Sequence, residues 1–329
     1  MKLIAYNVRD DEIPFIKQWG AENEIEVGYN TQILDSKTIE KAKGFDGISC
    51  LQTIPYSAEL FNKFSKLDIK SLSLRNVGID NIDLEAAKQN GIEITNVPAY
   101  SPESIAEFAV FMAMFLLRKA GYMYQQLHVD HQFHFSSDFM GRLIEDQTVG
   151  VIGTGRIGRH VIQLFQGLGA KVIAFDKFPM KNPFFEYVDN EEDIFERADI
   201  VTLHMPATAD NDHLVNKEIF KMMKDDALLI NTARGSIVDT ADLIWALENK
   251  EIAGAGIDTI ENESADLQDS RSTKLVTDKN VLKLANMPNV IVTPHSAFHT
   301  ATAVKNMVDI SLNNLKNMVD GGTPDDLVD

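Results

Sequence analysis

The segment NVIVTPHSAF, residues 289–298, runs from β-branched apolar residues through a proline to an imidazole, His295. Two other segments have the same form. LLINTARGSIVD, 228–239, ends an apolar stretch on Arg234, and AGAGIDTIENES, 253–264, ends one on Asp258, Glu261 and Glu263. These side-chain types complement one another. Histidine titrates near neutrality and can give or take a proton. Arginine forks onto a carboxylate with two parallel N–H groups. A carboxylate beside an imidazole raises its pKa and fixes its orientation, and any of the three acids is a candidate for that place. Together they suit delivery of a proton to an oxygen of an anionic substrate.

A fourth segment supplies the other half of such a reaction. TVGVIGTGRIGR, 148–159, carries Gly153, Gly155 and Gly158 in the spacing G-x-G-x-x-G, directly after an apolar strand and at the opening of a helix. The first glycine permits a tight turn, the second lets backbone approach a pyrophosphate, and the third lets helix pack on strand. The helix N-terminus offers unpaired N–H groups and the positive end of the dipole. Asp176 follows at the end of the next strand, where an acid accepts from ribose hydroxyls and disfavours a 2′-phosphate. The cofactor expected is therefore NAD, and the chemistry hydride transfer to or from a carbonyl carbon, with His295 moving the proton.

The remaining histidines offer less. The chain has eight. His128, His131 and His134 recur every three residues but lie in a polar segment that reads as solvated loop, so no metal site is expected. His204 ends a strand beside the expected cofactor site, His160 lies on the helix after the glycines, and His213 and His299 read as surface residues.

Placing these groups requires strands that end near one another. Apolar strands alternate with helices along the first hundred residues: strands at 2–7, 25–30, 46–51, 69–74 and 92–96, with helices at 11–19, 36–44, 58–66 and 84–91. This spacing gives βαβ units and a parallel sheet. Residues 101–127 read as one long helix opened by Ser101 and Pro102, apolar nearly all round in its middle, as a helix buried between two lobes would be. A second alternation follows, with strands at 148–153, 171–176, 199–204, 227–233, 253–258 and 290–294. In open α/β sheets ligands bind at the carboxyl ends of strands, where all the groups above lie. A last helix, about 299–319, is free to return to the first domain, although a continuous two-domain chain has the same pattern.

Composition sets outer bounds. The chain of 329 residues is long enough for two domains, with 44% hydrophobic and 24% charged residues. Its net charge of −18 makes nucleic acid and anionic membrane poor partners. The longest apolar run, 108–117, falls short of the roughly 20 residues a bilayer-spanning helix needs. One cysteine, Cys50, and an N-terminus without signal-peptide character point to the cytoplasm.

Six motifs in order, LRNVGIDNID (74–83), NVPAYSPESIAE (96–107), TVGVIGTGRIGR (148–159), NTARGSIVD (231–239), GIDTIENE (256–263) and MPNVIVTPHSAF (287–298), make the chain resemble the D-isomer-specific 2-hydroxyacid dehydrogenases over essentially its whole length. The resemblance is closest to the fermentative D-lactate and D-2-hydroxyisocaproate enzymes of lactic acid bacteria. It implies two doubly wound parallel-sheet domains: a discontinuous, flavodoxin-like substrate domain of 1–100 plus 299–329, and a Rossmann NAD-binding domain of 101–298, through which members form homodimers. It implies that His295 is the acid/base, Glu263 its partner and Arg234 the carboxylate anchor, with the Val77 and Gly78 amides, Tyr100, Leu51 and Phe298 facing substrate. It implies contacts to NAD from Arg156 and Ile157, Asp176, Met205 and Pro206, Asn211, Thr232 and Ala233 beside Arg234, and Asp258. Ser264 stands where many relatives carry proline. Leu51 resembles the branched-chain enzymes and Phe298 the lactate enzymes. Pyruvate, reduced to the (2R)-hydroxyacid, is the expected substrate, with larger 2-oxoacids as the alternative and an NAD-sensing binding protein on the same scaffold as the other class.

Overall fold

The computed structural model describes residues 1–79, 81–181, 183–261, 263 and 275–328. The chain divides into two compact units, Met1–Ser101 with His299–Asp329, and Pro102–Phe298.

The first unit is built on five parallel strands, β1 (Lys2–Tyr6), β2 (Glu26–Tyr29), β3 (Gly47–Cys50), β4 (Ser71–Leu74) and β5 (Glu93–Thr95), in the order β2-β1-β3-β4-β5. This is the flavodoxin-like order. β3 and β4 are buried along their whole length, so they are apolar or small rather than alternating. One face carries Tyr6, Ile48, Leu72 and the helix Ala58–Lys66 through Phe61 and Phe64. The other carries Leu3, Ala5, Ile16 and Trp19 under the helix Ala301–Val319. That last helix buries Val304, Val308, Leu312 and Leu315, a stripe at helical spacing. Ser311 and Ser49 share a buried 2.8 Å hydrogen bond, and Trp19 Nε1 donates to Asn313 Oδ1 at 2.9 Å. A Cβ on Gly47 would lie 2.8 Å from Leu315, so the glycine admits the helix onto β3. The expected helix at 36–44 is a single 3-10 stretch, Thr38–Ala42.

The second unit has seven parallel strands, β6 (Thr148–Ile152), β7 (Lys171–Phe175), β8 (Glu186–Tyr187), β9 (Ile200–Leu203), β10 (Leu228–Asn231), β11 (Gly254–Ile257) and β12 (Val290–Val292), ordered β12-β11-β10-β9-β6-β7-β8. This is the Rossmann order with one further strand, and the direction reverses between β6 and β9. β8 was not expected: two residues are too few to show a period.

The predicted helix over 101–127 is broken. Pro102–Leu117 is regular, Lys119 turns left-handed at φ 56°, and Ala120–Tyr124 is a separate helix. Gly121 is pressed against the Pro288 carbonyl, so close that a Cβ would lie 2.2 Å from it. Nor is Pro102–Leu117 buried all round. Ala106, Ala109, Met112, Ala113 and Leu116 pack with Val149, Ile162 and Ile230 of the second unit, while Phe111 is 48% exposed. No helix among the described residues is long and apolar enough to cross a membrane.

Candidate active site

The glycine loop follows β6 with the three glycines in three distinct environments. Gly153 takes φ 93°, and a Cβ there would sit 2.6 Å from the His204 carbonyl oxygen. A Cβ on Gly158 would meet the Gly153 carbonyl oxygen at 1.9 Å, which is the close passage of helix over strand. Gly155 faces open space, with no heavy atom within 4 Å of such a Cβ. Gly155 is also the N-cap of the helix Arg156–Gly167 and supplies no side-chain cap, and the Arg156 and Ile157 amides have no acceptor among the described residues. Open space in front of unpaired donors at the positive end of a helix suits a pyrophosphate. Asp176, one residue beyond β7, accepts from Thr154 N at 2.6 Å, Thr154 Oγ1 at 2.9 Å and Phe178 N at 2.8 Å, so the acid is tied to the glycine loop. Thr232 Oγ1, just beyond β10, is buried without a partner among the described residues. An open cradle, a tethered acid and an orphaned hydroxyl fit NAD, whose adenosine ribose would meet Asp176.

Other expected cofactor contacts lie after β9 and β10. Met205 and Pro206 follow the strand directly. Asn211 closes the next turn, accepting from Thr208 N at 2.7 Å and donating to the Pro206 carbonyl at 2.8 Å. His204, at the end of β9, bonds Thr202 Oγ1 through Nε2 at 2.8 Å, and burial pushes its pKa down to about 3. A group held neutral in this way cannot be the proton source.

Asn231, Ile257 and Val292 stand side by side in register across β10, β11 and β12. The groups just beyond them therefore emerge at one end of the sheet. Arg234 leaves a turn shaped by Asn231, which accepts from Ala233 N at 3.0 Å and donates to the Arg234 carbonyl at 2.9 Å. Only one hydrogen bond of the guanidinium is made, to the Ala233 carbonyl at 2.8 Å; its other N–H groups have no acceptor among the described residues.

His295 sits in a left-handed turn, φ 51°, uncommon for a residue with a side chain. Asp258 holds that turn: it accepts from Thr293 Oγ1 at 2.5 Å, Ser296 N at 2.8 Å and Ala297 N at 2.9 Å. The predicted acid is in place beside the ring. Glu263 Oε2 lies 2.8 Å from His295 Nδ1, while its Oε1 accepts from Ile260 N at 2.9 Å. Burial works to lower the histidine's pKa, but the Glu263 hydrogen bond and charge, helped by Asp258, outweigh both burial and Arg234, and the net shift is upward. With Nδ1 held by the carboxylate, Nε2, which has no partner among the described residues, is the nitrogen free to exchange a proton. Ser264 lies outside the described residues. The third acid, Glu261, is turned away to His213, at 2.5 Å from Nε2.

In the first unit, Val77 and Gly78 form the turn after β4. Asn96 donates to the Val77 carbonyl and Asn76 to that of Gly78, both at 2.7 Å. Asn76 itself accepts from Gln52 N at 3.0 Å. With those carbonyls held, the Val77 and Gly78 amides donate to nothing among the described residues. Arg75, just before the turn, is fully buried and paired with the equally buried Glu12 at 2.8 Å. Leu51 and Tyr100 are half-buried, the latter's carbonyl receiving Asn306 Nδ2 at 2.6 Å. Phe298, half-buried, ends the second unit.

Asn76, Asn96, Asn231 and His213 shape these turns without having stood out in the sequence. The asparagines sit inside quoted motifs, but nothing in a linear motif says which backbone carbonyl an amide will reach.

Residues 110–297 match the family described as D-isomer specific 2-hydroxyacid dehydrogenase, NAD binding domain. The chain is 46% identical over 324 residues to a D-2-hydroxyacid dehydrogenase (NAD+) of Lacticaseibacillus paracasei, covering 98% of this chain and 97% of that one. It is 43% identical over 330 residues to a D-lactate dehydrogenase of Lactiplantibacillus plantarum, with 99% and 98% covered. Among solved structures it is similar to a D-2-hydroxyisocaproate dehydrogenase, with a TM-score of 0.94, 45% identity and coverage of 100% and 99%. An NAD cradle, an imidazole–carboxylate pair at the same end of the same sheet, and full-length likeness agree: the chain belongs to the D-isomer-specific 2-hydroxyacid dehydrogenases, the NAD-dependent oxidoreductases of that name.

Proposed function

We propose that the protein reduces a 2-oxoacid, pyruvate first, to the (2R)-hydroxyacid, with His295 as acid/base, Glu263 as its partner and Arg234 as carboxylate anchor. The observation that carries this reading is the 2.8 Å His295–Glu263 pair with Nε2 left open. NADH, when bound, would supply the hydride for C2. His295 protonates the carbonyl oxygen from Nε2, and Glu263 stabilises the imidazolium until then. Arg234 presents to the substrate carboxylate N–H groups that have no acceptor among the described residues and polarises the carbonyl, and the Val77 and Gly78 amides, which donate to nothing among the described residues, are assigned to a carboxylate by the family resemblance. Gly153, Gly155, Arg156, Ile157 and Gly158 hold the pyrophosphate, Asp176 the ribose, and Thr232, Ala233, Met205, Pro206, Asn211 and Asp258 line the remainder of the cofactor's course. The family resemblance assigns Tyr100, Leu51 and Phe298 to the substrate side chain.

A larger branched 2-oxoacid is the second reading. Leu51 favours it, as does the likeness to the D-2-hydroxyisocaproate dehydrogenase. NADH-oxidation rates with pyruvate, 2-oxoisocaproate and phenylpyruvate, with chiral analysis of the products, decide. The highest kcat/KM with pyruvate and a D-lactate product supports the first reading, and a higher value with 2-oxoisocaproate replaces it with the second. Absence of turnover with every oxoacid overturns both in favour of an NAD-sensing binding protein.

We further propose a cytoplasmic homodimer formed through the second unit. Phe133 and Phe135 are 93% and 89% exposed, and Tyr124, Val129, Met140 and Leu143 lie open on the same segment, an exposed apolar stretch of the kind that marks an interaction surface. Cys50 is buried against Tyr56 at 2.7 Å, its pKa pushed up to about 11 by burial, as suits an inert thiol in a reducing compartment. Sedimentation of the wild type and of a Phe133→Ser, Phe135→Ser double variant tests the dimer; a wild-type monomer refutes it.

A further inference from the structure

His213 reads in the sequence as a surface histidine. In the structure it joins three loops. Its amide donates to the Ser236 carbonyl at 2.8 Å, in the turn that follows Arg234. Its Nε2 lies 2.5 Å from Glu261 Oε1, and its Nδ1 faces Asp239 Oδ2 at 3.7 Å. The other oxygen of Glu261 accepts from Thr240 N at 2.7 Å, at the start of the helix Thr240–Asn249. Glu261 is thus clamped from both sides.

What Glu261 anchors is the loop that serves His295. Glu263 lies two residues on, and its Oε1 binds back to Ile260 N at 2.9 Å while its Oε2 reaches the imidazole. The Arg234 turn rests on the same loop. A Cβ on Gly235 would lie 2.1 Å from the Ile260 carbonyl, so the two backbones are in direct contact there. A hydrogen bond weakens steeply as its geometry departs from linear. Freeing Glu261 therefore lets Glu263 lose alignment with His295.

We infer that His213 is a positioning residue for the His295–Glu263 pair: by joining Glu261 to the turn after Arg234, it fixes the loop from which Glu263 reaches the imidazole. This rests on the proposed role of His295. The groups facing His213 are Glu261, Asp239 and Asp212, all acidic. Those facing His295 are Glu263, Asp258 and Arg234.

Two variants separate positioning from mere stability. Asparagine tolerates the left-handed backbone at 213, φ 50°, but its amide ends where Nδ1 stood and does not reach Glu261. Glutamine places an N–H near the former Nε2 and keeps the bond to Glu261. In His213→Asn, the alkaline limb of 2-oxoacid reduction, set by loss of the His295 proton, should move down by about half a pH unit, a roughly threefold change in that ionisation constant. His213→Gln should return it towards the wild-type position. An NMR titration of the His295 ring, assigned with His295→Gln, should show the same movement without any turnover. A lower melting temperature with an unmoved His295 titration in His213→Asn overturns the inference. A wild type whose ring titrates as above but which reduces no 2-oxoacid refutes the enzymatic reading instead, and leaves the ring titrations of the two variants to decide the role of His213.

Discussion

One short loop serves two histidines in opposite ways. Glu263 meets His295 Nδ1 at 2.8 Å, and Glu261, two residues earlier, meets His213 Nε2 at 2.5 Å. Both histidines are left-handed, at φ 51° and 50°, and both have pKa values raised by their glutamates. They differ in what surrounds the other nitrogen. His213 is partly exposed, with Asp239 Oδ2 3.7 Å from its second nitrogen and Asp212 also near, so the charges that act on its proton are all acidic. His295 has an Nε2 without a partner among the described residues and Arg234 nearby, a cation that opposes its charge. In this chain the pair proposed for catalysis is the one whose second nitrogen lies near a cation, and the other pair joins loops.

Breaking the pair proposed for catalysis has the largest expected effect. His295→Gln should lower kcat for 2-oxoacid reduction by about 10²–10⁴, the usual worth of a general acid. Near-normal steady-state turnover of that variant would make the two pairs equivalent and end the distinction. Arg234→Lys comes next. An ammonium lacks the guanidinium's fork, so the KM for pyruvate should rise about tenfold or more while NADH affinity stays nearly constant. An unchanged KM would leave the cation beside His295 without its proposed purpose. Glu263→Gln is subtler. The glutamate's charge raises the histidine's pKa, so neutralising it lowers that pKa. Oxidation of D-lactate needs neutral His295, and its acidic limb should move to lower pH, with the alkaline limb of reduction moving the same way. Profiles that coincide with wild type would show the 2.8 Å contact to be silent in catalysis. The His213 variants give the smallest effect and measure how far the second pair supports the first.

Parallel alternation, the two sheets and the glycine cradle were legible in the sequence because each depends on local pattern. A buried parallel strand must be apolar throughout, and a tight turn under a helix start must lack side chains. The 101–127 helix was misread for the same reason. Its apolar run continues past Leu117, and neither the left-handed Lys119 nor the pressure of the Pro288 carbonyl on Gly121 is visible in a local period. His295 and Arg234 could be singled out because their types and strand-end positions suit one reaction, whereas Glu263 was one of three acids until the family resemblance pointed to it.

By itself, the sequence determined the strand count to within one short strand, the dinucleotide loop and a set of three candidate acids. Only the tertiary structure decided how those acids are used: Asp258 for the turn that carries His295, Glu263 for its ring and Glu261 for His213. Carboxylates two or three residues apart are chemically interchangeable along a chain. They become distinct when the register of β10, β11 and β12 and the contact between Gly235 and Ile260 fix where each side chain ends, because a hydrogen bond depends on tenths of an ångström that only the packed backbone sets.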